Sequence, residues 1–305
     1  MIKKYSSKNV TWIDLEKPNR VEVRSLMLEY KLHPLVAEEL LLPTLRPKVD
    51  LHPNFIYLIL HFPPFRHSRG GGITCNHEID FIIGKDFLIT ARYEAIDSFQ
   101  KLSKIFEVQT ILGNEDDKHA GYLFFRVARQ LYDTLTDELD YIEDLQEEIE
   151  KNIFNDNEKQ MVKEISRLNH NLLDFKQAII HHGEVLNSLE TAGVELFGKD
   201  FSYYLKNINN KYRRVSHIVE RNRENLGELR ETNDSLLTTK QNETMKIFAI
   251  LAFVTFPLSL VASIFGMNTT ILPIVGIKGD FWYIMGGMAS ATGLMFWFFK
   301  YKKWF

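Results

Sequence analysis

Ser263-Ile264-Phe265-Gly266-Met267-Asn268 closes a stretch, Ile247 to Phe265, in which 19 residues carry no charge. Fifteen residues further on, Phe281 to Phe299 is a second uncharged run of 19. At about 1.5 Å of rise per residue each run spans about 28 Å as a helix, close to the ~30 Å hydrocarbon core of a bilayer. The decisive reading is therefore two membrane spans near the chain's end, joined by a short loop that begins Gly266-Met267-Asn268.

Charge places the spans. Lys240 and Lys246 precede the first, and Lys300, Lys302 and Lys303 follow the second, whereas the loop from Gly266 to Asp280 carries only Lys278. The excess of lysine on one side predicts that both termini are cytoplasmic and the loop extracytoplasmic, in the inner or plasma membrane. Trp282, Trp297 and Trp304 fall near the expected interfaces. The net charge of −3 gives no reason to expect nucleic acid. Cys75 is the only cysteine, so no disulfide forms within the chain. The N-terminus lacks the apolar core of a signal peptide.

Ahead of the spans, residues 1–116 read as mixed α/β. Val10 to Leu15 predicts a strand, Arg20 to Leu32 a helix, and Phe55 to Phe62 a strand with alternating character. Glu78 to Ile83 and Phe87 to Ala91 flank the turn Gly84-Lys85-Asp86 as a hairpin. Arg69-Gly70-Gly71-Gly72 lacks the Gly-Lys-Ser/Thr of a phosphate-binding loop. From 117 to 246 the pattern is helical: one helix to about Asn152, a second from Asn157 to about Glu190, and a third from near Phe201. The third meets no strong stop before Phe265. Such a helix would be about 98 Å long. The remaining divisions are the first span 247–265, the loop 266–280, the second span 281–299 and a basic tail 300–305.

Two stripes run along the third helix. Ile208, Tyr212, Val215, Val219, Asn222, Leu226, Leu229, Asn233 and Leu236 alternate steps of four and three, the spacing of a helix packed lengthwise on other helices. Counting back from Gly266 gives the other: Ser263, Ser259, Phe256, Ala252, Ala249, Met245, Asn242, Thr238, Ser235 and Glu231. A lipid-facing stripe would be Leu, Ile and Val. This one fits either a pore wall or a close helix–helix interface, where small residues are also favoured. One two-span chain cannot enclose a pore, so a channel needs several copies about an axis.

Gly266-Met267-Asn268 after Phe265, between two C-terminal spans, resembles the signature of the CorA family of divalent-cation transporters. Trp12-Ile13-Asp14-Leu15, Leu32-His33-Pro34-Leu35, Arg46-Pro47-Lys48 and Phe87-Leu88-Ile89-Thr90 resemble family segments in the same order. The resemblance implies an α+β cytoplasmic domain followed by long helices and two transmembrane helices, assembled as a funnel-shaped homopentamer. It implies that Gly266, Met267 and Asn268 form a selectivity filter for a hydrated cation. Ser263, Ser259, Phe256, Ala252, Ala249, Asn242, Thr238 and Glu231 would then line the pore, and Met245 and Phe248 would form a hydrophobic gate. The stripe itself passes through Ala249 rather than Phe248.

The implied function is passive, potential-driven uptake of Mg²⁺, with Co²⁺ and Ni²⁺ as further cargo and no cofactor or enzymatic activity. A ring of Asn carbonyls can hold a hydrated Mg²⁺ without stripping its waters, and conduction needs such weak sites. CorA-like loops usually carry an acid soon after the tripeptide. Here the first is Asp280, which leaves Mg²⁺, Co²⁺, Ni²⁺ and Zn²⁺ open. The related ZntB branch, associated with Zn²⁺, has Val where this chain has Met267. A membrane-anchored coiled-coil scaffold without transport is the reading from a different class. The family also implies a regulatory metal site, for which Asp80 and Asp86 are the residues named. The acids from Asp133 to Glu150 read as a solvated helix face, with cytosolic cation attraction or the family's low-affinity Mg²⁺ sensor at subunit interfaces as the functional alternative. His170, His181 and His182 match no zinc spacing.

Overall fold

The computed structural model describes residues 2–7, 9–44, 46–63, 77–94, 104, 119–267, 276, 279–302 and 304. The Gly70–Gly72 loop, Cys75 and Asn268 lie outside them. The chain divides into two compact units, Met1–Arg230 and Glu231–Phe305.

The first unit opens with a mixed sheet. Its strands are β1 (Ile2–Ser6), β2 (Thr11–Glu16), β3 (Lys48–Leu51), β4 (Phe55–Phe62), β5 (His77–Gly84) and β6 (Phe87–Arg92), in the order β1-β2-β6-β5-β4-β3. β2 and β6 run parallel; every other pair is antiparallel. Helices α1 (Arg20–Tyr30) and α2 (Pro34–Glu39) connect β2 to β3. Asn19 starts α1 with a capping box: its side chain accepts from Val21 and Glu22 N–H, and Glu22 accepts from Asn19 N–H.

β4 lies where the sequence predicts, but it is buried along its whole length rather than on alternate residues. Both faces of the sheet are covered, which removes any need for polar residues on one of them. Phe55, Tyr57 and Ile59 face a core built with Leu26, Val36 and Leu40 of the α1–α2 side. α3 (Ala120–Phe154), α4 (Glu158–Ile179) and α5 (His182–Phe197) cover the other face, where Phe81 meets Phe124 edge-on at 5.3 Å.

Two of the family-like segments meet at the parallel pair. Asp14 stands opposite Thr90, whose Oγ1 donates to Asp14 Oδ1 at 2.9 Å; Trp12 Nε1 donates to that same Oγ1 at 3.1 Å. Arg92 Nη2 reaches Asp14 Oδ2 at 3.0 Å and Glu16 Oε2 at 2.9 Å. Asp14 and Arg92 are both buried, so each charge depends on the other.

A turn at Lys199–Phe201 leads into α6, Ser202–Phe265, which is 64 residues of helix with Pro257 inside it. Within the first unit α6 runs parallel to α3. Lys211 binds Asp133, and Arg221 binds Glu143 at 3.0 Å, both pairs 78 residues apart in sequence. The predicted packing stripe is at this contact: Ile208, Val215, Val219, Asn222 and Leu226 are buried. Gln146 Nε2 donates to Asn222 O at 2.6 Å, and Asn222 Nδ2 to Leu139 O at 3.4 Å, so the buried amide ties α6 to α3.

The expected single helix from Asn157 to Glu190 is two, broken at Ile180 and His181. Neither residue is a helix breaker. The break serves His182, which is fully buried: its Nε2 donates to His61 O and its Nδ1 accepts from Tyr132 OH, both at 2.8 Å. Burial pushes the His182 pKa down to about 3, so the ring is neutral.

Candidate functional site

Among the described residues, α6 alone is long and apolar enough to cross a membrane by length and hydropathy. Its most apolar 18 residues have a mean hydropathy of 2.4, and only 11% of them are buried. In the second unit it is joined by α7, Asp280–Tyr301, of 22 residues. α7 is free of charge from Phe281 to Phe299, but Gly286, Gly287, Gly293, Tyr283 and its tryptophans lower its mean hydropathy.

The two helices meet along a seam. Ile250 and Val254 of α6 are buried against Phe299 of α7, with Leu258 and Met295 packed beside them. Phe253 meets Phe299 edge-on at 6.5 Å. The positions 250, 254 and 258 are successive turns of one helix face. That i, i+4, i+8 apolar spacing is legible in the sequence and names the seam, which the stripe count from Gly266 passes over.

The polar stripe lies elsewhere on α6. At about 100° per residue, Ala252, Met245, Ser259, Phe256 and Ser263 cluster about 180° from the seam's centre. Ser259 and Ser263 are exposed, as are Ala249, Asn242, Thr238 and Glu231; Ala252 is half-buried. Phe256 is 73% exposed, and Met245 and Phe248 are each 61% exposed. Phe248 lies on the same open half of the helix as Ala249. The contact between α6 and α7 therefore uses none of the stripe, and among the described residues the stripe is not the interhelical contact that small residues also suit.

α6 ends at the tripeptide. Gly266 N–H still donates to Ala262 O at 3.0 Å, and Met267 N–H tightens the last turn onto Ile264 O at 3.3 Å. A Cβ on Gly266 would stand 3.2 Å from Ala262 O, a backbone atom with little room to yield. The last carbonyls of the helix carry about half a negative charge, which favours a cation at that end.

Asp80 and Asp86 are not brought together. Asp80 is fully buried in β5, where Tyr57 OH donates to its Oδ2 at 3.1 Å and Tyr93 OH at 3.4 Å. Burial, then the charge of nearby Glu78, pushes the Asp80 pKa well up. Asp86 is exposed in the β5–β6 turn, and its carbonyl accepts from Thr11 N–H at 2.9 Å. Among the described residues no three His, Cys, Asp or Glu side chains converge as metal ligands would. Of the acids on α3, Asp133 and Glu143 hold α6, and Asp140, Asp144, Glu147, Glu148 and Glu150 stay in reach of solvent.

This architecture has known relatives. The family described as CorA-like Mg2+ transporter protein matches residues 7–302. The cobalt/magnesium transport protein CorA of Thermotoga maritima is 26% identical over 299 residues, covering 98% of this chain and 84% of that protein. The complete CorA magnesium transporter of Methanocaldococcus jannaschii superposes with a TM-score of 0.84 at 20% identity, covering 99% of this chain and 93% of that one. The ZntB cytoplasmic domain of Vibrio parahaemolyticus shares the soluble fold, with a TM-score of 0.62 at 15% identity over 76% of this chain and 89% of that one. Long helix, α/β unit and a match over nearly the whole length agree, and the chain belongs to the family of CorA-like Mg2+ transporter proteins, which carry divalent cations across membranes.

Proposed function

We propose that the protein is a homopentameric channel for passive Mg²⁺ uptake, driven by the membrane potential. The observation that carries this is the placement of the stripe. Its polar and small residues face away from the α6–α7 seam and, among the described residues, find no partner helix, as a wall shared by copies about an axis requires. The first span is residues 247–265, lining the pore. The second is 281–299, presenting Trp282, Leu294 and Trp297 to lipid. Both termini face the cytoplasm of a cell that holds the channel in its inner or plasma membrane. Five Asn268 side chains, three residues beyond the end of α6 in the sequence, form the outer ring with Gly266 and Met267. Met245 and Phe248 form the cytoplasmic gate.

The energetics need no other source. A divalent ion crossing 100 mV gains about 4.6 kcal/mol, a factor of more than 10³ in equilibrium concentration. Co²⁺ and Ni²⁺ share the charge and the taste for a hydrated path, and we include them as cargo. The name of the Thermotoga maritima relative couples cobalt with magnesium, which favours this choice for a chain of the same family. The runner-up, a Zn²⁺ carrier of the ZntB type, has the shared soluble fold in its favour, while Met267 stands against it.

The test is Mg²⁺ entry into liposomes with an imposed potential. Wild-type protein should carry Mg²⁺, with Co²⁺ and Ni²⁺ competing, and Asn268→Ala should abolish most of the flux. Undiminished entry through Asn268→Ala would sink the selectivity-ring assignment. Zn²⁺ flux that Mg²⁺ does not inhibit would select the ZntB reading.

A further inference from the structure

At the tail end of α7 the backbone folds back. Lys302 N–H donates to Phe298 O, and Trp304 N–H to Phe299 O, both at 3.0 Å. The fold-back stacks Trp304 on Phe299, with ring centroids 5.7 Å apart and planes 29° apart. Phe299 is the α7 residue buried in the seam, so Trp304 closes the end of the seam rather than trailing beyond it. Lys300 and Lys302 are exposed there. On α6, Lys246 lies one turn before Ile250 on the same side and is half-buried. Among the described residues within one turn of Lys246 on α6 the acid is the exposed Glu243, outnumbered by the three lysines.

We propose that this end of the seam seats the headgroup of an anionic glycerophospholipid from the leaflet that faces the tail. Its phosphate lies between Lys246 on α6 and Lys302 on α7, its glycerol rests on Trp304, and Lys300, two residues from Lys302 and so turned to the other side of α7, adds only to the positive potential of this end. Lysine at a membrane surface attracts anionic headgroups, and indole favours the interfacial depth at which the glycerol lies. Two cationic helix ends held this close to one seam repel each other, and a shared phosphate relieves that repulsion. The consequence reaches the transport path, because Lys246 follows Met245 directly. A lipid that ties Lys246 to α7 fixes the helix turn that carries Met245 and Phe248, so anionic lipid tunes opening. This rests on the membrane reading above.

The full chain would be reconstituted in vesicles of phosphatidylcholine alone or with phosphatidylglycerol. Retained phosphatidylglycerol is counted by native mass spectrometry, and Mg²⁺ flux is measured in parallel. Wild type should retain phosphatidylglycerol and change its flux severalfold between the two compositions. Lys246→Gln/Lys302→Gln should retain it about 25-fold less, about fivefold per lysine, and carry the same flux in both. Lys246→Arg/Lys302→Arg should behave as wild type. Equal retention by wild type and the Gln variant, or a measurable wild-type Mg²⁺ flux that is the same in both compositions, overturns the proposal. Retention lost in the Gln variant while no chain carries Mg²⁺ in either vesicle would uphold the headgroup seat and overturn the transport reading instead.

Discussion

Ser259 stands about 180° around α6 from Ile250, and the two have opposite surroundings. Ile250 is 4% exposed beneath Phe299, while Ser259 is open. An apolar helix in lipid has no reason to spend one face on Ser259, Ser263 and Ala252 unless that face meets water or another helix closely. The partner helix within the chain takes the other face.

Cysteine accessibility distinguishes a wet stripe from a dry one. With Cys75 replaced by Ser no thiol remains. Single cysteines at Ser259, Ser263 and Phe256 should react with a membrane-impermeant, water-soluble thiol reagent and lose most Mg²⁺ flux on reaction. Cysteines at Ile250 and Val254 should react at least tenfold more slowly, because water does not reach the seam. Equal rates at both sets, or reaction at Ser259 without loss of flux, would favour the scaffold without transport.

Gly266→Ala tests how finely the helix end sets the tripeptide. The added methyl stands 3.2 Å from Ala262 O, so either that carbonyl or the Met267 turn must move. Helix content, read by circular dichroism, should not change. Mg²⁺ flux should fall about tenfold, the effect of a cost near 1.4 kcal/mol at one step. Unchanged flux would mean that the tripeptide tolerates a displaced Gly266.

Much of this was legible in the sequence, for identifiable reasons. Ser259 and Ser263 announce themselves because polar residues are rare in an apolar run of that length. β4 and β5 are visible as apolar blocks bounded by turn residues. What escaped was decided by tertiary contact or by short length. β1, with Lys3 and Lys4, reads as a polar end, because this edge strand has no fully buried residue and can carry charge. Pro34–Glu39 is too short for a helical period to show. The break at Ile180 and His181 has no Gly or Pro to mark it and exists for the contacts of His182 with Tyr132 and His61. The Asp14–Thr90–Arg92 network joins residues 76 and 78 apart, a pairing that only the parallel register of β2 with β6 creates.

That network gives the next prediction. Arg92→Leu leaves the buried Asp14 carboxylate without its cation, and an uncompensated buried charge costs about 3–5 kcal/mol. The denaturation midpoint of the purified protein should drop sharply. Asp14→Asn/Arg92→Leu should recover part of the loss, since Thr90 can still donate to the Asn carbonyl. A single variant as stable as wild type would mean that Asp14 finds water in the folded state.

His182 sets an acid limit on the α/β unit. Its folded pKa of about 3 lies below the ordinary value of 6.5, chiefly through burial. The unfolded chain therefore binds a proton below pH 6.5 that the folded chain refuses. Stability from this group is complete above pH 6.5 and falls as pH drops toward 3, by about 2 kcal/mol at pH 5. His61 acts in the opposite direction. Burial lowers its pKa, but the hydrogen bonds to the Glu78 carboxylate and Thr44 O outweigh burial and raise it, so it gains in acid. The measurement that isolates His182 is the difference between wild type and His182→Gln. Melting temperatures taken from pH 7.5 to pH 5 should fall more steeply for wild type, with the variant less stable at neutral pH and nearly level with it at pH 5. Parallel curves would mean that the folded chain opens enough to protonate His182 without unfolding.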